Sequence, residues 1–130
     1  MRFLLDTSAL LFWLEGSPRI KKRLRDQLVE PANLVFVSAV SAFEIALKAS
    51  LGKLRFSGDP AEVLPPFFER SGLSTLPVAV NHGLGVYGLP RHHSDPFDRL
   101  LISQAIAEDL TLVSSDGIFS KYAVKLVLVD

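Results

Sequence analysis

The chain has 130 residues, 48% hydrophobic and 22% charged, with 14 Lys and Arg balanced by 14 Asp and Glu. That much apolar surface offsets the entropy of ordering the backbone, which excludes disorder and predicts one globular domain over 1–130. The lack of cysteine removes disulfides, thiolate metal sites and cysteine nucleophiles and fits a cytoplasmic protein, while zero net charge excludes a generic polycation that grips nucleic acid by bulk charge.

Residues 2–5 form a short apolar run, and Asp6-Thr7-Ser8 then supplies helix N-cap residues before the apolar stretch 9–14, so strand, turn and helix are expected. That stretch is far too short to span a membrane, and the N-terminus does not read as a secretory leader. Ser17-Pro18 reads as a cap with proline at the first helical position, and Ile20, Leu24 and Leu28 recur on one face of an amphipathic helix. A β-type run at 34–37 leads into a helix over 39–51 that closes at Gly52. Asp59-Pro60 opens a further helix, which Pro65-Pro66 is expected to break before it restarts over 67–71. A strand at 73–78, a weak helix at 80–88 and a polar loop at 90–94 follow. Asp95-Pro96 starts the strongest helix, with 111–114 a strand, Asp116-Gly117 a turn and 125–129 a last strand. Strands alternating with helices, and β-runs that are apolar throughout, predict a three-layer α/β/α fold with a central, mostly parallel sheet.

In such sheets ligands bind beyond the carboxyl ends of the strands. Four acids occupy the matching places in the sequence: Asp6 after the first strand, Glu44 in the helix after the second, Asp98 in the first turn of the strong helix and Asp116 after the 111–114 run. Each also has a structural use. Asp6 can cap a helix, Asp95 and Asp98 can form a capping box, Ser41 and Glu44 have the spacing of another, Glu44 can pair with Lys48, and Asp116 can form a turn before Gly117. Gathered on one sheet edge, however, the carboxylates would repel and raise one another's pKa values unless a cation lay between them. Mg²⁺ or Mn²⁺ suits oxygen ligands, retains waters and lets a phosphodiester be hydrolysed without a protein nucleophile.

The segments Leu4-Leu5-Asp6-Thr7-Ser8-Ala9, Phe43-Glu44-Ile45-Ala46-Leu47-Lys48, His93-Ser94-Asp95-Pro96-Phe97-Asp98-Arg99-Leu100-Leu101 and Leu112-Val113-Ser114-Ser115-Asp116 run nearly end to end along the chain. In these segments the chain resembles the PIN domain, and in particular the VapC-type toxins of bacterial toxin–antitoxin pairs. The resemblance implies a Mg²⁺- or Mn²⁺-dependent endoribonuclease checked by a small cognate antitoxin. It implies Asp6, Glu44 and Asp98 as the principal metal-site acids and Asp116 as a more variable fourth. Asp95 would support the site or cap its helix, and Ser114 stands where the family often has Thr. Many relatives carry another Asp where this chain has Gly117-Ile118-Phe119, which argues against a second metal position.

Around these acids, Thr7 and Ser8 are candidate supporting hydroxyls, and Lys48 and Arg99 are candidate phosphate contacts. His92-His93 reads as a solvated pair or an RNA contact more readily than as metal ligands. The basic residues Arg19, Lys21, Lys22, Arg23 and Arg25 read as a solvated face or an RNA-backbone contact. Phe12 and Trp13 belong to the core or to a surface for an antitoxin or a second copy in a homodimer. Two other functions suit the same composition: a receiver-type phosphoacceptor domain, and a non-catalytic binding module whose acids only cap helices. Of the 14 acids, setting aside the four candidates leaves 10 against 14 bases, a formal +4 on the remainder.

Overall fold

Phe3, Leu4 and Leu5 have no solvent-accessible surface, as expected of a strand covered on both faces. Their strand, β1 (Arg2–Leu5), is the centre of a parallel sheet of order β3-β2-β1-β4-β5, with β2 (Leu34–Ser38), β3 (Ser74–Leu76), β4 (Thr111–Ser114) and β5 (Leu126–Leu128). The helices are α1 (Thr7–Glu15), α2 (Lys22–Val29), α3 (Ala39–Ser50), α4 (Pro60–Arg70), α5 (Val80–Gly85) and α6 (Pro96–Ala107). This computed structural model describes residues 1–129, and Asp130, the end of the expected 1–130 domain, lies outside the described residues.

Alternation along β1 divides the core. Phe3 and Leu5 pack with Val35, Val37 and Val113 beneath Leu10, Leu24, Leu28, Leu64 and Phe67, whereas Leu4 packs with Leu112 against Leu101, Ile102, Phe119 and Tyr122. Helices therefore cover both faces, and the three-layer α/β/α expectation holds. Full burial of each such side chain is worth about 1.5–3 kcal/mol. Among the described residues no helix is long and apolar enough to cross a membrane.

Some local expectations change. Ser17-Pro18 does not begin α2, because Gly16 ends α1 at φ 64° and the chain turns through Ser17, whose hydroxyl accepts from the Arg19 amide at 3.2 Å. Ile20, almost wholly buried, anchors that turn before α2 starts. Nor do Pro65 and Pro66 break α4, which runs unbroken. The two missing amides would have bonded to the carbonyls of Ala61 and Glu62, both in the exposed first turn where water can replace them. Leu64, Phe67 and Phe68 then hold the helix on the core. Ser38, not Ser41, caps α3, which places Ser41 and Glu44 inside the helix and rules out the capping box. After Asp116 the chain forms a 3₁₀ segment, Gly117–Lys121, with the Asp116 side chain accepting from the Ile118 amide at 3.0 Å.

Two further contacts fix how the helices pack. Gly85 lets α5 lie against α6, since a Cβ there would meet Ser103 Oγ at 2.5 Å. Leu11, Phe12, Trp13 and Leu14 are partly buried against the core, with the Arg19 guanidinium 4.4 Å from the centre of the Phe12 ring.

Candidate functional site

Consecutive strands step from β1 outward to β2 and β3, and the chain then returns to place β4 on the other side of β1. Where the strand order reverses in this way, the loops leaving neighbouring strands part and open a crevice. Here that crevice is a cavity of about 420 Å³, lined by Asp6, Glu44, Asp98 and Asp116 together with Thr7, Ser8, Lys48 and Asp95. Its wall also carries Lys53, just past the end of α3, which the sequence reading did not single out.

Asp6 leaves β1 and caps α1, with Oδ1 accepting from the Ala9 amide at 2.8 Å and from Ser8 Oγ at 2.9 Å. Burial pushes its pKa above the ordinary carboxylate value and the Glu44 charge adds to this, against the opposing hydrogen bonds of Ser114, Ala9 and Ser8. Glu44 points inward from α3 and is 6% exposed. Such a charge must be answered locally. Thr7 Oγ1 donates to Glu44 Oε1 at 2.6 Å and lies 2.9 Å from Ser41 Oγ, while Lys48, one turn along, forms an ion pair with Oε2. The hydrogen bond to Glu44 holds the Lys48 ammonium above its ordinary pKa.

Asp98 sits in the first turn of α6, where its amide donates to Asp95 Oδ1 at 3.0 Å. Its pKa is pushed up to about 6 by burial, then by the Asp95 charge, with Asp6 contributing and His93 opposing. His93 Nε2 stands 2.7 Å from Asp98 Oδ2 and 3.9 Å from Asp116 Oδ2. Ser114, wholly buried at the end of β4, accepts from the Asp116 amide at 3.0 Å. Ser115 Oγ lies 3.1 Å from Ser8 Oγ, a contact that ties the loop after β4 to the start of α1.

The arrangement thus brings Asp6, Glu44, Asp98 and Asp116 to one cavity, with Thr7, Ser8, Lys48, Asp95 and Ser114 on or beside them. Arg99 is not where a phosphate contact was expected. It is 7% exposed and donates to the carbonyls of Pro90 and His93 from Nη1 and of Val86 and Leu89 from Nη2. Neighbouring helical residues point about 100° apart, so Asp98 faces the cavity while Arg99 turns to the loop before α6 and holds it. The histidines also separate: the His92 ring packs edge-on to Tyr122, 5.3 Å between centroids, and only His93 reaches the carboxylates. No short-range pattern in the sequence marks that difference.

The donor set is hard oxygen with one imidazole, and the carboxylates outnumber the cations beside them, so these residues fit a divalent cation. Among solved structures, the chain is similar to VapBC2 from Rickettsia felis bound to a promoter DNA fragment, at 20% identity and TM-score 0.75, covering 100% of both chains. It is similar also to a toxin–antitoxin complex from Klebsiella pneumoniae (15%, TM-score 0.68, 98% of each chain) and to FitAcB from Neisseria gonorrhoeae (22%, TM-score 0.64, 97% of this chain and 96% of that one). A search of curated proteins finds no match. Residues 3–125 match the PIN domain, and with the cavity lying where that match spans all four acids, the chain belongs to the PIN domain family.

Proposed function

We propose that this chain is a VapC-type toxin: a Mg²⁺- or Mn²⁺-dependent endoribonuclease held in check by a small protein antitoxin. The observation that carries the reading is the meeting of Asp6, Glu44, Asp98 and Asp116 in one cavity with Lys48 and Lys53 on its wall. Membership of the PIN family and likeness to the solved toxin–antitoxin assemblies support it. The elevated pKa of Asp98 supports it too, because an acid raised by burial and like charge is one that a nearby cation would relieve.

A divalent ion at this place supplies a Lewis acid that activates water and offsets charge building on a phosphate. The protein's own groups supply position. Ser8 and the Ala9 amide fix the Asp6 carboxylate, Thr7 and Lys48 fix Glu44, and Asp95 fixes the start of α6 so that Asp98 faces inward. Lys48 and Lys53 make one wall attractive to a phosphate backbone.

The receiver-type alternative does not suit the topology, since the doubly wound fold of receivers runs 2-1-3-4-5 and this sheet runs β3-β2-β1-β4-β5. The binding-module alternative draws on a specific observation: Asp6, Asp95 and Asp116 each cap a helical segment. Asp6→Asn separates the readings, because asparagine can still cap α1 but is a poor metal ligand. The expected result is loss of RNA cleavage by at least about 10³-fold, on the order of 4 kcal/mol, with the melting transition retained. Undiminished cleavage in that variant, or in the presence of EDTA, would refute the proposal.

A further inference from the structure

His93 stands beside the cavity and brings an imidazole nitrogen to two of its carboxylates, Asp98 and Asp116. Among the described residues, single ligand atoms of His93, Asp98 and Asp116 all lie within 4.8 Å of one another. Donor atoms bound at about 2.1 Å around one ion stand about 3.0–4.2 Å apart, close to the 2.7 and 3.9 Å found from His93 Nε2 to the two carboxylates.

The backbone of His93 is clamped in a way that aims its ring. Tyr122 Oη accepts from the amides of His92 at 3.1 Å and His93 at 2.8 Å, and Arg99 Nη1 donates to the His93 carbonyl at 3.2 Å. The ring itself stands edge-on to buried Phe119, at 5.8 Å between centroids and 73° between planes. Capping of α6 does not need it, because Asp95 performs that task. A loop held by groups from α6 and from the segment before β5 thus delivers one imidazole nitrogen to two carboxylates on separate elements.

We infer that His93 is a metal ligand, its Nε2 joining the Asp98 and Asp116 carboxylates in a mixed nitrogen–oxygen site that prefers Mn²⁺ and later first-row ions to Mg²⁺. The inference rests on the metal-dependent reading proposed above. Mg²⁺ is a hard ion that takes oxygen donors, whereas affinity for imidazole rises along the first-row series from Mn²⁺. Ligation through Nε2 leaves the ring proton on Nδ1.

The test uses the full chain and Mn²⁺ alone. Calorimetry with Mg²⁺ competition gives the Mn²⁺ preference, and pulsed EPR of the Mn²⁺ complex reads hyperfine coupling to a directly bound ¹⁴N. The wild type is expected to show that coupling and to bind Mn²⁺ at least about 10-fold more tightly than Mg²⁺. His93→Ala, and His93→Gln as a second variant, should lose the coupling and about 10-fold in Mn²⁺ preference. Mn²⁺ uptake by the wild type without nitrogen coupling, or coupling that persists in both variants, overturns the ligand assignment alone. No Mn²⁺ uptake at millimolar concentration overturns the metal-dependent reading and the ligand assignment together.

Discussion

The two flanks of the cavity treat their carboxylates differently. On the flank built by β1 and α3, Asp6 and Glu44 are almost wholly buried, and each is fixed by neighbours: Asp6 by the Ala9 amide and Ser8, Glu44 by Thr7 and Lys48. On the flank built by α6 and the end of β4, Asp98 has Asp95 behind it, and the half-exposed Asp116 lies nearby across His93. One flank is a finished hydrogen-bonded frame and the other is electrostatically incomplete. The first arrangement fixes where acids stand, and the second leaves negative charge that would attract a cation.

Removing Arg99 would test the second flank most severely. Arg99→Met keeps much of the buried length but removes the Arg99 donors from the carbonyls of Leu89, Pro90 and His93 and leaves that of Val86 only the Leu89 amide. A loss of about 3–4 kcal/mol in urea denaturation is expected, with faster amide exchange in residues 86–93. A loss below about 1 kcal/mol would mean that the loop holds itself and that the flank is less dependent on α6 than the contacts imply.

The electrostatic contrast has a pH signature of unusual sign. A carboxyl whose folded pKa is about 6, above its ordinary 3.8, binds protons more readily in the folded state. Its contribution to stability therefore falls as pH rises from about 4 to 6, the reverse of an ordinary paired carboxylate. In EDTA, Asp98→Asn should be more stable than wild type by about 1–2 kcal/mol at pH 7, after allowance for solvent screening. The advantage should vanish near pH 4. An advantage that did not change between these pH values would remove the claim that the Asp98 flank is short of positive charge.

An effect no larger than this is expected on the hydrogen-bonded flank. Thr7→Val removes the hydroxyl from Glu44 Oε1 but leaves the Lys48 ion pair, so a loss of about 1–2 kcal/mol is expected. Thermal melting measures it, and the pH response assigned to Asp98 should be unaltered. If the Thr7→Val profile moved with that of Asp98→Asn, the two flanks would be one coupled network.

Much of this architecture was legible in the residues. Apolar runs bounded by turn formers marked every strand, and the caps Asp6, Asp59 and Asp95 marked helix starts to within a residue. The four acids were legible because strand-end and helix-start positions meet at a sheet's carboxyl edge whatever the details. Pro65 and Pro66 misled because local breaking tendency was outweighed by the burial of Leu64, Phe67 and Phe68. The role of Arg99 was half legible, since adjacency to Asp98 on a helix already requires the two side chains to diverge. His93 was not legible as a neighbour of Asp116, because Tyr122, 29 residues away, sets its backbone.

The placement of β1 between β2 and β4 also bears on timing during synthesis. Asp6 and Glu44 emerge from the ribosome before the wall that carries Asp98 and Asp116, which stands on α6 and the end of β4. A nascent chain that stops before Thr111 has no partner for one whole side of β1 and no closed crevice. Whatever chemistry the cavity performs is thus withheld until α6 and β4 have been made, a delay set by the order of the elements.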